Sequence, residues 1–115
     1  MIVNLPWPDK VLNPNSRAHW RRRSKVVKTA RTTAKILTLV ALGDRAQVPA
    51  SHGLKITMHP PDARRRDQDN AISSCKSLLD GVADALGVND SRFVLDTVEW
   101  GDVEPGGRVA VRIGE

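Results

Sequence analysis

Arg64-Arg65-Arg66-Asp67-Gln68-Asp69-Asn70 is where this chain changes character. Ahead of it, Leu54-Lys55-Ile56-Thr57-Met58-His59 alternates apolar and polar residues and reads as a strand closed by Pro60-Pro61. Behind it, Ile72, Cys75, Leu79, Val82 and Leu86 recur at helical spacing until Gly87 stops the run. Three arginines therefore enter two carboxylates at i, i+2, at a strand-to-helix junction. In extended backbone that spacing points both carboxylates to one side. Hard divalent cations require convergent oxygen ligands, and Mg²⁺ is usually held by one or two carboxylates with waters and phosphates. A cationic run beside such a pair is suited to holding a phosphodiester.

Outward from this segment, the charge is segregated. Residues 1–66 carry fourteen Lys/Arg against three Asp/Glu, a net +11; residues 67–115 carry four against ten, a net −6. The first half suggests a polyanion-binding face and the second a cation site. With 115 residues, the chain is expected to form a single domain spanning 1–115. It has no long apolar run and no charged-then-apolar leader, which suggests a cytoplasmic protein without membrane attachment. Its one cysteine excludes an internal disulfide, and His19, His52 and His59 lack zinc-ligand spacing.

Toward the N-terminus, Val3, Leu5 and Trp7 alternate on a short strand ending at Pro6 and Pro8. Trp7 reads as core, with base stacking the alternative. Asp9 to Asn15 is a turn-rich loop, and Ser16 is a plausible helix cap. The helix that follows runs to about Leu42, with Val26 or Val27, Ala30, Ala34, Leu37 and Val40 or Ala41 on its apolar side. Its polar side carries Arg17, Arg21, Arg22, Arg23, Lys25, Lys28, Arg31 and Lys35 and no acid. Without i, i+4 partners these charges repel one another unless an anion lies against them. A nucleic-acid backbone fits better than a merely solvated face. His19 and Trp20 either stack on a base or staple the helix to the core.

Toward the C-terminus, Asp69 or Asn70 can cap the second helix. On one continuous helix, Lys76 and Asp80 lie within about 20° of the Asp69 direction. Cys75, in the apolar stripe, reads as a small buried hydrophobe, and Asp84 as solvated surface. Asn89-Asp90-Ser91 turns into a strand from Phe93 to Trp100, and Gly106-Gly107 precedes a last strand with Val109, Val111 and Ile113 facing in. The expected fold is α+β, ordered β-α-β-α-β-β, a mixed sheet packed against two helices. The last two strands can pair antiparallel through the Asp102–Gly107 loop.

Pro60-Pro61-Asp62, Arg64 to Asn70, Lys76-Ser77-Leu78-Leu79-Asp80-Gly81 and Asn89-Asp90-Ser91, with Leu5-Pro6-Trp7-Pro8 at the start, resemble the RusA family of Holliday-junction resolvases. The likeness extends over essentially the whole chain. It implies a Mg²⁺-dependent endodeoxyribonuclease, with Mn²⁺ able to substitute and no organic cofactor. The implied action is paired symmetric nicking of four-way junction DNA during recombination and repair, by a homodimer. It also implies Asp67, Asp69 and Asp90 as metal-binding carboxylates, Lys76 as the active-site lysine, and Arg66 as a phosphate contact. Arg64 and Arg65 join the basic helix in lining the DNA surface. The founding pattern places the lysine four residues after the second aspartate, whereas Lys76 follows Asp69 by seven, about 4.5 Å further along a helix. A non-catalytic junction-binding protein and a less selective metal nuclease are the alternatives.

Overall fold

The computed structural model describes residues 1–43, 53–88 and 94–113. Strand β1 (Ile2–Pro6) alternates as its sequence predicts, with Val3 and Leu5 buried and Ile2, Asn4 and Pro6 exposed. Helix α1 (Trp20–Leu42) leads to β2 (Gly53–His59). Two short helices follow, α2 (Gln68–Ser74) and α3 (Lys76–Leu86), then β3 (Val94–Trp100) and β4 (Arg108–Ile113). A 3-10 turn at Lys10–Leu12 interrupts the loop before α1.

The sheet is mixed, in the order β1-β4-β2-β3. β4 pairs antiparallel with β1 (Val3 opposite Val111) and with β2 (Ile56 opposite Val111), while β2 and β3 are parallel (Ile56 opposite Val98). One sheet face carries Val3, Leu5, Leu54, Ile56, Met58, Val109, Val111 and Ile113, all buried. Ala34 of α1 and Leu78, Val82 and Leu86 of α3 join them in one core. The result is the α+β two-layer arrangement that binary patterning predicts, with one buried sheet face toward which β1, β2 and β4 alternate.

The β3–β4 hairpin expected from sequence order does not form, because β2 lies between those strands. Skipping one strand requires about 10 Å of travel, which the segment from Gly101 to Gly107 spans easily. It is tied to the end of β2 as it passes: Gly101 N donates to the Met58 carbonyl (2.9 Å) and Glu104 N to that of Pro60 (2.9 Å). His59 Nδ1 donates to the Asp102 carbonyl (3.0 Å). β4, with Val109, Val111 and Ile113 fully buried, takes an interior position, and Pro6 stays on an edge strand where a missing donor costs nothing.

The helices also differ from expectation. α1 starts at Trp20 rather than near Arg17: His19 is the cap, its Nδ1 accepting from Arg21 N (3.2 Å), while Ser16 Oγ accepts from Ala18 N in a separate turn. The single helix expected near 70–86 is two helices joined at Cys75. Ser74 Oγ donates to the Asn70 carbonyl (2.8 Å), a local bond of the kind that competes with helix continuation. Cys75 N bonds Ile72 O in a tightened last turn while its side chain enters the core. Burial pushes its thiol up to about 12, as suits a small hydrophobe. The break also shifts the apolar stripe: Leu78 is fully buried, while Leu79 is only half-buried.

α1 and α3 meet at small residues. A Cβ on Gly81 would overlap the Arg31 carbonyl and lie 2.8 Å from Ala34 Cβ. Asp84 is exposed, as expected, and on that surface it is joined to α1: Arg31 Nε and Nη2 donate to it at 2.6 and 2.8 Å. This bidentate bond holds its carboxyl below the usual carboxylate range, with the Arg31 and Lys35 charges adding to the effect.

Candidate nucleic-acid interface

Two loops that leave the same end of the sheet, one after β1 and one after β2, enclose a cleft of about 770 Å³. Its charged lining is strongly basic: Lys10, Arg17 and Arg22 on one side, and Arg64, Arg65 and Arg66 on the other. Asp67 also lines it, together with Asp9. Residues far apart in the chain thus present six cations to one concavity, a form that raises the local concentration of a polyanion.

The Arg64–Arg66 run is held by Asp62. Asp62 Oδ1 accepts from Arg64 N at 3.0 Å and from Arg66 Nη2 at 2.8 Å. Those bonds, with the two arginine charges, lower the Asp62 carboxyl from its ordinary value. Arg66 Nη1 donates to the carbonyls of Asp62 (3.0 Å) and Arg64 (2.9 Å). Its guanidinium lies 5.5 Å from the Trp7 ring centroid, and its side chain is only 15% exposed. Arg66 therefore shapes the loop from inside, while Arg64 and Arg65 are exposed. Trp7, partly buried against the core, also contacts Trp100 with a centroid separation of 6.5 Å.

Asp67 is the cap of α2: its Oδ1 accepts from Asn70 N at 3.0 Å, in place of the Asp69 or Asn70 cap expected from sequence. The bond uses one carboxylate oxygen. Asp69 follows in the first helical turn and is exposed. Both carboxylates sit where the helix dipole favours negative charge. Because the chain bends at Cys75, Lys76 belongs to the next helix, and the continuous wheel that related it to Asp69 does not apply. Lys76 Nζ donates to Asp80 at 3.3 and 3.4 Å. Asp90 lies outside the described residues. Among the described residues, no three His, Cys, Asp or Glu side chains converge to hold a metal ion.

The basic residues in and just before α1 divide similarly. Arg17 and Arg22 line the cleft, and Lys25 and Lys28 are exposed along α1. Arg23 turns inward, its Nη1 donating to the carbonyls of Val11 (3.1 Å) and Asn13 (3.2 Å), so it fastens the loop to the helix. Arg21 lies 5.3 Å from the Trp20 ring centroid. The loop residues Lys10, Asn13 and Asn15 also line the cleft. Their turn-forming composition located a loop, but nothing local showed which wall it would build.

No family model matches the sequence. A curated protein of Xylella fastidiosa (strain Temecula1 / ATCC 700964), described there only as an uncharacterized protein, is 40% identical over 113 residues. The match covers 96% of this chain and 74% of that one.

Proposed function

This chain belongs to the same family as the Xylella fastidiosa protein, and we propose that it is a Mg²⁺-dependent, structure-selective endodeoxyribonuclease that resolves four-way DNA junctions by paired symmetric nicks. The observation that carries this reading is the cleft whose six basic side chains lie beside Asp67 at the start of α2. The RusA resemblance of the same segment supplies the reaction and the junction as substrate.

The donor set fits the metal. Asp67 and Asp69 offer hard carboxylate oxygens, the ligands Mg²⁺ prefers, and Asp67 uses only Oδ1 in its cap. Asp67, Asp69 and Asp90 would hold the ion. A Mg²⁺ ion held there would supply a water of lowered pKa and positive charge beside the phosphate. Arg17, Arg22, Arg64 and Arg65 bind the phosphodiester backbone and set its register without reading bases. Arg66 and Asp62 keep the arginine loop in shape, which orients that backbone toward the carboxylates. The RusA resemblance gives Lys76, which is 71% exposed and paired with Asp80, the neutralisation of charge on the leaving oxygen; such a surface pair is weak enough to yield to a phosphate. Paired nicks require two sites related by a twofold axis, so the acting form is a homodimer.

The test is cleavage of a labelled synthetic four-way junction beside linear duplex of the same sequence, with Mg²⁺ and with EDTA. Symmetric nicks confined to the junction and abolished by EDTA are expected. Equal cutting of linear duplex would identify a less selective nuclease. Binding without cutting in Mg²⁺ would identify a junction-binding protein.

A further inference from the structure

Trp20 is the first residue of α1 and is 68% exposed, although the core of the same domain is well filled. A tryptophan buries more apolar area than most side chains when it has a partner. Here its neighbours are polar: the His19 ring at a centroid distance of 5.6 Å and the Arg21 guanidinium at 5.3 Å. Neither covers it. Stapling of α1 to the core, one of the two sequence readings, is therefore not its role.

Its position is specific. Ala18 and Arg22, two residues before and two after it, line the basic cleft while Trp20 itself does not, so the indole lies outside the cleft, close to its basic residues in the chain. α1 has no acidic residue in its first turn, which leaves the positive end of a long helix uncompensated at the same place. A flat aromatic ring among arginines matches one ligand chemistry closely. A nucleobase stacks on the ring while its phosphates meet the cations, and stacking is insensitive to which base is present. A base within intact duplex has both faces occupied by its neighbours. An unpaired base has a face to offer.

We propose that Trp20 is a stacking platform for an unpaired DNA base, with the Arg21 guanidinium against its ring and Arg22 next in the chain for the flanking phosphates. The proposal rests on the DNA-binding reading above and adds a contact that distinguishes opened DNA from continuous duplex. It makes Trp20 a selectivity residue rather than a catalytic one.

The test is fluorescence anisotropy of the full chain with labelled oligothymidine and with blunt duplex of the same length, for the native protein, Trp20→Ala and Trp20→Phe. Expected is a loss of about tenfold in single-strand affinity for Trp20→Ala. Duplex affinity should change less than about twofold, and Trp20→Phe should keep most of the single-strand affinity. Unchanged single-strand affinity in Trp20→Ala, or equal losses on both DNAs, overturns the platform while leaving the DNA-binding reading intact. A Trp20→Ala chain that sediments as a smaller species than the native one overturns it in favour of a contact between copies. Native protein that binds neither DNA removes both readings together.

Discussion

Replacing Gly81 by alanine sets two known effects against each other. In a helix interior the change should stabilise by about 1 kcal/mol, because glycine gives up more backbone freedom on folding. The structure opposes this. The new Cβ would overlap the Arg31 carbonyl and stand 2.8 Å from Ala34 Cβ, where carbon atoms rest at about 3.5–4.0 Å. Both obstacles are fixed parts of α1, so neither can rotate aside. The helices must part locally by roughly 1 Å, which loosens the fully buried Ala34 and Val82 in a close-packed core. Over-packing of this kind costs about 1–3 kcal/mol. With over-packing at the middle of that range, the net expectation is destabilisation of about 1 kcal/mol, read as a fall in Tm of about 4 °C by circular dichroism. Thr32→Ala, at an exposed α1 position, serves as the propensity control and should raise Tm slightly. An unchanged or higher Tm for Gly81→Ala would refute the reasoning, since propensity would then outweigh the helix contact.

Asp67 has two separable roles. Asp67→Asn preserves a good helix cap and should leave Tm nearly unchanged while cutting junction cleavage more than about a hundredfold, whereas Asp67→Ala should also cost about 1 kcal/mol in denaturation; normal cleavage by Asp67→Asn would remove that carboxylate from the metal site. Arg64→Ala should weaken binding to all duplex sequences alike and reduce the slope of log K against log salt by about 1, measured by anisotropy over a salt series. The Arg31–Asp84 pair should act on stability through pH. Because the folded Asp84 carboxyl is held low, its contribution is fully present above the unfolded carboxylate value of about 3.9 and is lost as pH falls through the folded one. Asp84→Asn should therefore cost under about 1 kcal/mol near neutrality, and its urea midpoint should converge with that of the native chain in acid.

Much of the architecture was legible in local sequence. The alternation of Val3 and Leu5, of Leu54, Ile56 and Met58, and of Val109, Val111 and Ile113 follows from a sheet with one buried face, so period-two patterning reveals both strands and facing. The burial of Cys75 and the stop at Gly87, whose φ of 68° suits glycine, were readable for similar reasons. So was the meeting of three arginines with Asp67 and Asp69, because it lies within one short segment.

What tertiary structure decided is what depends on distant partners. Strand order placed β4 between β1 and β2, since pairing is settled by where a strand with an apolar inner face (Val109, Val111 and Ile113) finds two neighbours and not by which strand comes next in the chain. The interruption at Cys75, whose side chain is buried in the core, put Lys76 in a different helix from the one that Asp67 caps. Identical arginines acquired different duties: Arg23 fastens a loop, Arg66 shapes one, Arg31 joins two helices, and Arg17, Arg22, Arg64 and Arg65 line the cleft. Sequence by itself determined the charge available and the faces that carry it. Which of those charges are tied to the fold depended on which carbonyls and carboxylates folding brought within hydrogen-bond reach, as at Arg23, Arg31 and Arg66, because a guanidinium's donors bond the acceptors that the tertiary structure places beside them.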